Sequence, residues 1–398
     1  NLLSYSFSLK QKHNFDVLLG LSFQKDQNYS NAGSGRNGPN DYVQYVQGKW
    51  GDGAGLVNVA DPKSDETVYE SAFSYASDFE EERMNSYFGR LTYNFKEKYM
   101  FETTIRRDGS SVFGEKVRWA TFPSIAAGWA FSEEPFLKHL YWLSFGKVRV
   151  SWGKSGQKFG QRYLAHGLMT SSGSFLGTSG IVPDTDGGVI NRKLTWEETS
   201  QYDVGLDLSL FDYRLKVTTD YYYRYTDKLL YSVALPGDYS SYAKQWRNAY
   251  TISNEGIELE VKYDVIRREN LNWNLGFNIS RNWNRLEKSE NNQDFQTAGN
   301  GNNRCVIGKP LNGIFVYKTW GIYNEETEVP HFYKDGRYTP LGTNTQYYRP
   351  GDRQIIDVDG DGKVSSIEGS DLVYSGSPLP LANGGITSSL DWRGFDLN

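Results

Sequence analysis

The sequence predicts an all-β protein, a transmembrane up-and-down antiparallel β-barrel with long extracellular loops. Three observations lead to this prediction. Apolar and polar residues alternate with a period of two in segment after segment, as in strands that have one apolar face. Short and long connections alternate strictly between these segments, which places the long connections at one end of a meander. No stretch approaches about 18 consecutive apolar residues, so the sequence offers no candidate transmembrane helix.

Composition agrees with this fold class. The 398 residues are 38% hydrophobic and 15% aromatic, and disordered chains are poor in aromatics, so we expect apolar residues spread thinly along alternating strands. The net charge of −5 gives no reason to expect nucleic acid as a partner. Cys305 is the single cysteine, which excludes an internal disulfide and argues against a cysteine-based zinc site.

The first six predicted strands follow the alternation in chain order. They are residues 3–9, 15–23, 86–95, 98–106, 123–131 and 147–153. In the third of these, apolar Leu91, Tyr93 and Phe95 share one face of the strand. Aromatic residues near strand ends suit the aromatic girdles that membrane barrels place at the two interfaces of the bilayer.

The later strands show the same pattern. Four are predicted at residues 201–211, 214–224, 256–263 and 271–280, an eleventh follows residue 383, and a twelfth begins at Phe395. Leu206 and Leu208 would face lipid on either side of the inward Asp207. Charged residues on the second face would line the lumen: Asp207, Lys216, Asp220, Glu258, Glu260 and Lys262.

The connections separate a plain end from an elaborated end. Short connections are predicted at 11–14, 96–97, 212 and 264–270, with a compact one at 132–146. Long connections are predicted at 24–85, 106–121, 154–199, 225–254 and 281–383. The strand-like segment 313–323 stays within the last loop, because one extra spanning strand would reverse the next strand. A soluble β-sandwich also alternates, but its strands are shorter and its polar face meets bulk water.

Seven segments in order resemble the SusC/RagA family of TonB-dependent outer-membrane transporters from Bacteroidetes. They are residues 90–114 (RLTYNFKEKYMFETTIRRDGSSVFG), 118–137, 147–157, 193–230, 248–261, 350–364 (PGDRQIIDVDGDGKV) and 375–385. Their order and spacing span nearly the whole chain, which makes the resemblance specific.

The resemblance implies a barrel of about 22 strands, an N-terminal plug, and a SusD-like surface lipoprotein that covers the barrel. It also implies energy supply from TonB–ExbB–ExbD through the plug, contact with outer-membrane lipid, and import of an oligosaccharide or peptide. We therefore expect residues 1–398 to be the C-terminal barrel part of a longer protein, a fragment of about half the strands without the plug and final strands. A passive porin or a surface adhesin barrel is the alternative.

An acidic motif in the last long loop predicts a metal site. DVDGDGKVSSIE, from Asp357, fits the calcium-loop pattern D-x-[DN]-x-[DN]-G-x5-E. Asp357, Asp359 and Asp361 would supply side-chain oxygens, and the carbonyl of Lys363 would be a further ligand. Three carboxylates this close repel one another without a cation, so we expect bound Ca²⁺. Amphipathic helices do not flank the motif, so its role would be structural and not that of an EF-hand sensor.

The final ligand of this site has two candidates. Strict spacing assigns Glu368, whereas the resemblance favours an Asp shortly before a Gly, here Asp371 ahead of Gly376. The second assignment requires a three-residue insertion. Both remain open at this stage.

No catalytic residues are predicted. Ser151 and Lys154 fit the bare S-x-x-K pattern, but the companion SDN and KTG motifs are missing. RRDGSS, residues 106–111, is expected to form a turn at a strand end with its charges in the lumen. Aromatic rings in the long loops could stack on sugar rings or simply pack the loops: Tyr29, Tyr42, Tyr45, Trp50, Trp246 and Tyr250.

Overall fold

A computed structural model describes most of the chain. The described residues are 1–36, 58–60, 67–69, 72–167, 169–175, 178–183, 188–235, 242, 244–290, 292, 294–296, 304–334, 337–343, 346–365 and 371–397. Within these ranges no helix is both long and apolar enough to cross a bilayer.

Strands dominate the structure. The first half contains β1 (Leu2–Leu9), β2 (His13–Arg36), β3 (Asn58–Ala60), β4 (Thr67–Tyr69), β5 (Ala72–Phe95), β6 (Tyr99–Ser110), β7 (Trp119–Trp129), β8 (Leu143–Gln157), β9 (Met169–Phe175), β10 (Thr178–Pro183) and β11 (Glu197–Leu210). The second half contains β12 (Leu215–Ala234), β13 (Lys244–Arg268), β14 (Leu271–Lys288), β15 (Phe295–Gln296), β16 (Arg304–Cys305), β17 (Ile314–Tyr317), β18 (Thr319–Ile322), β19 (His331–Lys334), β20 (Arg337–Pro340), β21 (Arg353–Ile355), β22 (Leu372–Gly376), β23 (Asn383–Trp392) and β24 (Phe395–Leu397). Single-turn 3-10 helices lie at Phe131–Glu133 and Glu326–Glu328.

One antiparallel sheet contains the predicted meander. Its twelve strands lie in the order β1-β2-β5-β6-β7-β8-β11-β12-β13-β14-β23-β24. This order confirms the eleven strands predicted from the alternation and the twelfth beginning at Phe395. The remaining strands form separate two-stranded sheets in the long connections.

The two ends of the sheet differ as predicted, and we call them the turn end and the loop end. At the turn end, Lys96 and Glu97 join β5 to β6 with φ of 55° and 59°. Two consecutive positive φ values match the type I′ turn, whose twist suits the flanking strands. The long connections all leave the opposite end of the sheet.

Several strands are longer than predicted. The ladder between β2 and β5 continues to the pair Arg36–Ala72, deep into the predicted loop 24–85, and β12 and β13 likewise extend into 225–254. The alternation fades there because polar groups occur on both faces, as in the ion pair of Lys25 with Glu81 at 3.1 Å. Backbone hydrogen bonds carry the ladder onward without an apolar face, so side-chain periodicity underestimates the strand length.

The register separates two faces of the main sheet. One continuous row is apolar: Phe7, Phe15, Tyr93, Phe101, Ala127, Val150, Val204, Tyr221 and Ile257. On the opposite face a row contains Lys147, Asp207, Thr218, Glu260 and Asn278. Val204 and Ile257 remain 49% and 48% exposed, so the part of the chain that the structure describes leaves the apolar face uncovered there. We call these the apolar face and the polar face.

Packed cores occur at the loop end, not between the two faces. Phe113, Phe122, Leu194 and Trp196 belong to one buried cluster where the connections after β6, β8 and β10 meet. Buried apolar side chains also occur in the insertion between β14 and β23, where β17 pairs with β22, β18 with β21 and β19 with β20. We call them the insertion core: Phe315, Tyr323, Val329, Leu341, Val364 and Leu372. The strand-like segment 313–323 thus forms β17 and β18, outside the main sheet.

Candidate functional site

Charged residues of three adjacent strands form a patch on the polar face. The register pairs Asp207 with Thr218 and Asp220 with Glu258 across β11, β12 and β13. The six residues that the sequence assigned to this face all lie on the polar face, because each belongs to the polar row or is an even number of positions from a residue in it: Asp207, Lys216, Asp220, Glu258, Glu260 and Lys262. Alternation alone located these side chains, because strand parity fixes the face on which each one lies.

Arg149 organises this patch. It lies opposite Gly205 on β11, and its guanidinium bonds Asp207 through Nε at 2.8 Å and through Nη2 at 3.1 Å. The same Nη2 lies 2.9 Å from Oδ1 of Asp220, one strand further on. The guanidinium crosses over Gly205, where an added Cβ would overlap Asp220 and lie 2.6 Å from Cζ of Arg149. One cation thus ties three strands together by charge-assisted hydrogen bonds.

The pairing of Arg149 was not predicted from the sequence. The alternation of Val148 and Val150 gave its face, but strand register decides which carboxylates it meets, and register depends on the turns. Gly205 is the only clue in the sequence, since a residue without a side chain inside a strand often marks a close approach by another group.

The RRDGSS segment ends a strand rather than forming a turn. Arg106 bonds Asp108 at 2.8 Å and Ser86 at 3.1 Å on the polar face, and Asp108 and Ser110 are buried. These contacts give the segment a packing role at the loop end. The prediction that all its charges face the lumen was wrong for Arg107, which lies in the row of Tyr87 and is exposed on the apolar face.

The S-x-x-K pair has no catalytic geometry. Ser151 and Lys154 are three residues apart on β8, so they lie on opposite faces of the sheet. Lys154 instead bonds Glu198 of the neighbouring strand at 2.5 Å. A nucleophile and its base must lie within hydrogen-bond reach of each other, which this arrangement prevents.

The acidic loop between β21 and β22 brings its first three carboxylates together. One oxygen each from Asp357, Asp359 and Asp361 lies within 4.8 Å of the others. Asp357 accepts hydrogen bonds from the N–H groups of Gly360 and Gly362 at 2.7 and 2.9 Å, which shapes the loop. Calcium–oxygen distances are roughly 2.3–2.6 Å, so oxygens with this separation fit around one Ca²⁺.

The other predicted ligands differ in position. Asp371 is fully buried and is not one of these three converging carboxylates. Its two oxygens accept the N–H groups of Val358 at 2.6 Å and Ser365 at 2.8 Å. It thus ties together the two ends of the acidic loop. Glu368 lies outside the described residues, and a ligand role for the Lys363 carbonyl stays a prediction.

The acidic loop packs on the insertion core. Gly362 has φ of 81°, and a Cβ there would lie 2.9 Å from Cγ of Phe332. Both the backbone conformation and the close approach of the ring therefore favour glycine at this position. The neighbouring Val364 is 4% exposed and bonds Gly342 through its N–H at 2.7 Å. Tyr348 lies beside this core, with its ring centre 6.1 Å from that of Tyr323. Partial burial, with smaller effects of neighbouring tyrosine and carboxyl groups, raises the pKa of Tyr348 to about 12.

The loop aromatics divide into three groups. Tyr250 is 6% exposed and packs edge-on against Tyr231 at 4.8 Å, so its ring faces are covered by protein. Trp246 packs against the buried cluster around Trp196. Tyr29 is 68% exposed and lies 4.7 Å from Phe79 between ring centres. The rest of this set lies outside the described residues: Tyr42, Tyr45 and Trp50.

Comparison with known proteins assigns the sheet to a family. A profile described as "TonB dependent receptor-like, beta-barrel" matches residues 2–372. TonB-dependent receptor P3 of Formosa agariphila is 30% identical over 407 residues, which are 100% of this chain and 37% of that protein. TonB-dependent receptor SusC of Bacteroides thetaiotaomicron is 30% identical over 329 residues, which are 79% of this chain and 30% of SusC.

A solved structure has the same fold. The RagAB peptide importer in its open-open state superimposes with a TM-score of 0.74 and 22% identity, covering 100% of this chain and 39% of that chain. The chain thus spans well under half the length of the relatives it matches. The profile, the SusC relative and the shared fold agree with the alternation of the twelve strands. The chain belongs to the TonB-dependent receptor-like β-barrel family, as an outer-membrane barrel portion of the SusC/RagA type.

Proposed function

We propose that the full-length protein is a TonB-dependent importer that carries an oligosaccharide or a peptide across the outer membrane. The observation that carries this proposal is the two-faced sheet. Its apolar face suits lipid, and its polar face presents the charged patch around Arg149 toward a lumen. Family membership supports a barrel energised through a plug, and the RagAB importer, whose cargo is peptide, supports peptide as one substrate class.

The main alternatives are a passive porin and a surface adhesin barrel. An energised importer needs TonB and the proton gradient, whereas a porin conducts small solutes without either. The test uses cells expressing the full-length protein with its neighbouring genes, supplied separately with labelled oligopeptides and labelled oligosaccharides. We expect accumulation of one class, abolished by loss of TonB or by a protonophore. Uptake that persists without TonB would identify a porin, and no uptake of either class would contradict the importer.

A SusD-like surface lipoprotein is the proposed partner. The long connections support this, because they all leave the same end of the main sheet, where a covering protein would dock. We expect the two proteins to co-purify from the outer membrane, in detergent, when the lipoprotein alone carries the affinity tag. Recovery of the barrel without any lipoprotein, or from the periplasm only, would contradict the partnership.

We also propose that the acidic loop holds a structural Ca²⁺. Asp357, Asp359 and Asp361 would bind it, with Glu368 or Asp371 and the Lys363 carbonyl as candidate additional ligands. Bound Ca²⁺ would offset the mutual repulsion of the carboxylates. The carboxylate separation within 4.8 Å supports this proposal, because it matches the ligand spacing that the ion needs. The ion would hold the insertion in one conformation at the surface that faces the proposed lipoprotein.

A further inference from the structure

A groove lies on the apolar face of the sheet, around Gly89 of β5. It runs from β1, at residues 1–3, across β2, β5 and β6 to Thr121 on β7. The pair Leu19–Gly89 lies six positions from the turn-end pair His13–Phe95, within the stretch where apolar and polar residues alternate. Leu19, Leu21, Tyr87 and Ile105 form its walls, and Gly89 forms its floor. The groove therefore lies on the side of the sheet that meets lipid, and its row of Leu21, Tyr87 and Arg107 lies toward the loop-end limit of the apolar alternation.

Gly89 creates the groove. In the register Gly89 lies between Leu19 on β2 and Ile105 on β6. It is the one residue without a side chain in the row Leu3, Leu19, Gly89, Ile105 and Pro123. A Cβ at Gly89 would lie 3.3 Å from Cδ2 of Leu19, so a larger residue would fill the space. The flanking Leu19 and Ile105 are 53% and 58% exposed, and they present two apolar walls to an extended hydrocarbon chain.

A cation stands at the upper end of the groove. Arg107 follows Ile105 on the same face, and its guanidinium lies 5.6 Å from the ring centre of Trp119. Trp119 in turn stacks on Tyr87 at 5.9 Å. Among the described residues no carboxylate lies within 4.0 Å of Arg107, whereas the adjacent Arg106 is paired with Asp108 on the other face. An arginine on a lipid-facing surface is costly unless it reaches the interface or an anion, so Arg107 is available to an anionic headgroup.

We infer that this groove is a binding site for a phosphorylated lipid of the outer leaflet. One acyl chain would lie over Gly89 between Leu19 and Ile105, and the phosphate would accept hydrogen bonds from Arg107. Guanidinium binds phosphate with two parallel hydrogen bonds, and tryptophan and tyrosine belong at the headgroup level of a bilayer. The charge complements an anionic lipid and not a zwitterionic one. The inference rests on the apolar face meeting lipid and is independent of the import activity.

A second groove on the same face provides a control. It has a volume of about 310 Å³ and is lined by Phe101, Ala127, Val150 and Val204, without a cationic residue. A further exposed arginine, Arg281, stacks on Trp283 at 4.7 Å. Its partner in the ladder is Ile257 and not a glycine. A groove without an arginine and an arginine without a neighbouring glycine thus occur separately elsewhere on this face.

The test measures lipid carried by the full-length protein. The protein is purified with its lipoprotein partner and placed in phosphatidylcholine nanodiscs containing a small fraction of phosphatidic acid, and co-bound lipid is quantified by native mass spectrometry. We expect Arg107→Gln and Gly89→Leu each to lower the ratio of bound phosphatidic acid to phosphatidylcholine about tenfold. The controls Arg281→Gln and Ala127→Leu should leave the ratio unchanged, and heat-modifiable electrophoretic mobility should confirm that each variant is folded.

Two results would overturn the inference. The first is an equal phosphatidic acid ratio in wild type and Arg107→Gln, a variant whose surface change should not impair folding. The second is an unchanged lipid ratio combined with loss of the lipoprotein from the Gly89→Leu or Arg107→Gln complex, which would show that a protein occupies the groove. Failure of import in the uptake assay would not affect either result, so the two proposals fail separately.

Discussion

Arg149 and Asp220 bond each other across an intervening strand, because the residue between them is Gly205. Their closest atoms, Nη2 and Oδ1, lie 2.9 Å apart although β11 separates the two strands. Pairing in a sheet normally joins adjacent strands, so this contact stiffens the polar wall over three strands. The arrangement depends on the absence of a side chain at Gly205, which gives a direct way to test it.

We expect Gly205→Ala to destabilise the barrel by about 1–3 kcal/mol, because the added Cβ would displace a partly buried, charge-assisted pair. Gly385→Ala is the matched control on the same face. Its Cβ would meet only the side chain of Asn278, 3.7 Å away. The measurement is the temperature at which full-length protein loses its compact band in electrophoresis. Equal temperatures for the two variants would contradict a stabilising role for Arg149.

The acidic loop should depend on calcium. We expect Ca²⁺ to protect the insertion from proteolysis and EGTA to remove that protection, since three carboxylates within 4.8 Å repel one another without a cation. Asp361→Asn should raise the Ca²⁺ concentration required about tenfold, because affinity follows ligand charge. Asp352→Asn is the control, since its carboxylate accepts the Arg349 N–H outside the group of three. Equal cleavage with Ca²⁺ and with EGTA would contradict the metal site.

Asp371 should stabilise the acidic loop even when no metal is bound. Its two oxygens accept the N–H groups of Val358 and Ser365, and asparagine offers only one acceptor oxygen, so Asp371→Asn leaves one of these N–H groups without its acceptor. We expect a cost of about 1–3 kcal/mol to the acidic loop. Hydrogen exchange of these two amides in EGTA is the measurement. Asp359→Asn should leave it unchanged in the same buffer, and faster exchange in both variants would argue against a distinct role for Asp371.

The sequence predicted the strands of the main sheet well because each needs one apolar face. Leu206 and Leu208 alternate with Asp207 for the same physical reason that lipid and lumen lie on opposite sides of the sheet. Strand ends were predicted poorly, since the β2–β5 ladder continues to Arg36 where the alternation has already ended. Backbone pairing persists there without the side-chain pattern that reveals it.

The candidate sites were predicted unevenly for a related reason. Asp357, Asp359 and Asp361 are neighbours in sequence, so local spacing alone predicted that their carboxylates converge. The partners of Arg149 are more than fifty residues away, and only register brings them together. Arg107 was assigned to the wrong face because RRDGSS was interpreted as a turn, whereas strand parity continues through it to Ser110.

Alkaline pH should loosen the insertion through Tyr348. Burial raises the pKa of this phenol from 10.0 to about 12, so the folded state favours the neutral form. The neutral phenol therefore stabilises the folded insertion fully below pH 10, and this stabilisation is lost as the pH rises toward 12. We expect Tyr348→Phe to extend the pH range over which the insertion resists hydrogen exchange, because phenylalanine carries no ionisable group. The same alkaline midpoint in the variant and in wild type would assign the loosening to another group.

Trp196 should control the order of the loop end. Its side chain is 2% exposed, contacts Phe113 at 4.8 Å between ring centres, and donates its indole N–H to the Arg118 carbonyl at 3.0 Å. Trp196→Ala should cost about 3–5 kcal/mol by opening a cavity, whereas Trp196→Phe should cost less because it retains much of the ring volume. The expected readout is protease cleavage within residues 111–118, fastest in Trp196→Ala. Trp320, which is 80% exposed, provides the control, and Trp320→Ala should be cleaved at the wild-type rate. Equal cleavage of Trp196→Ala and Trp320→Ala would show that this core does not hold the connections together.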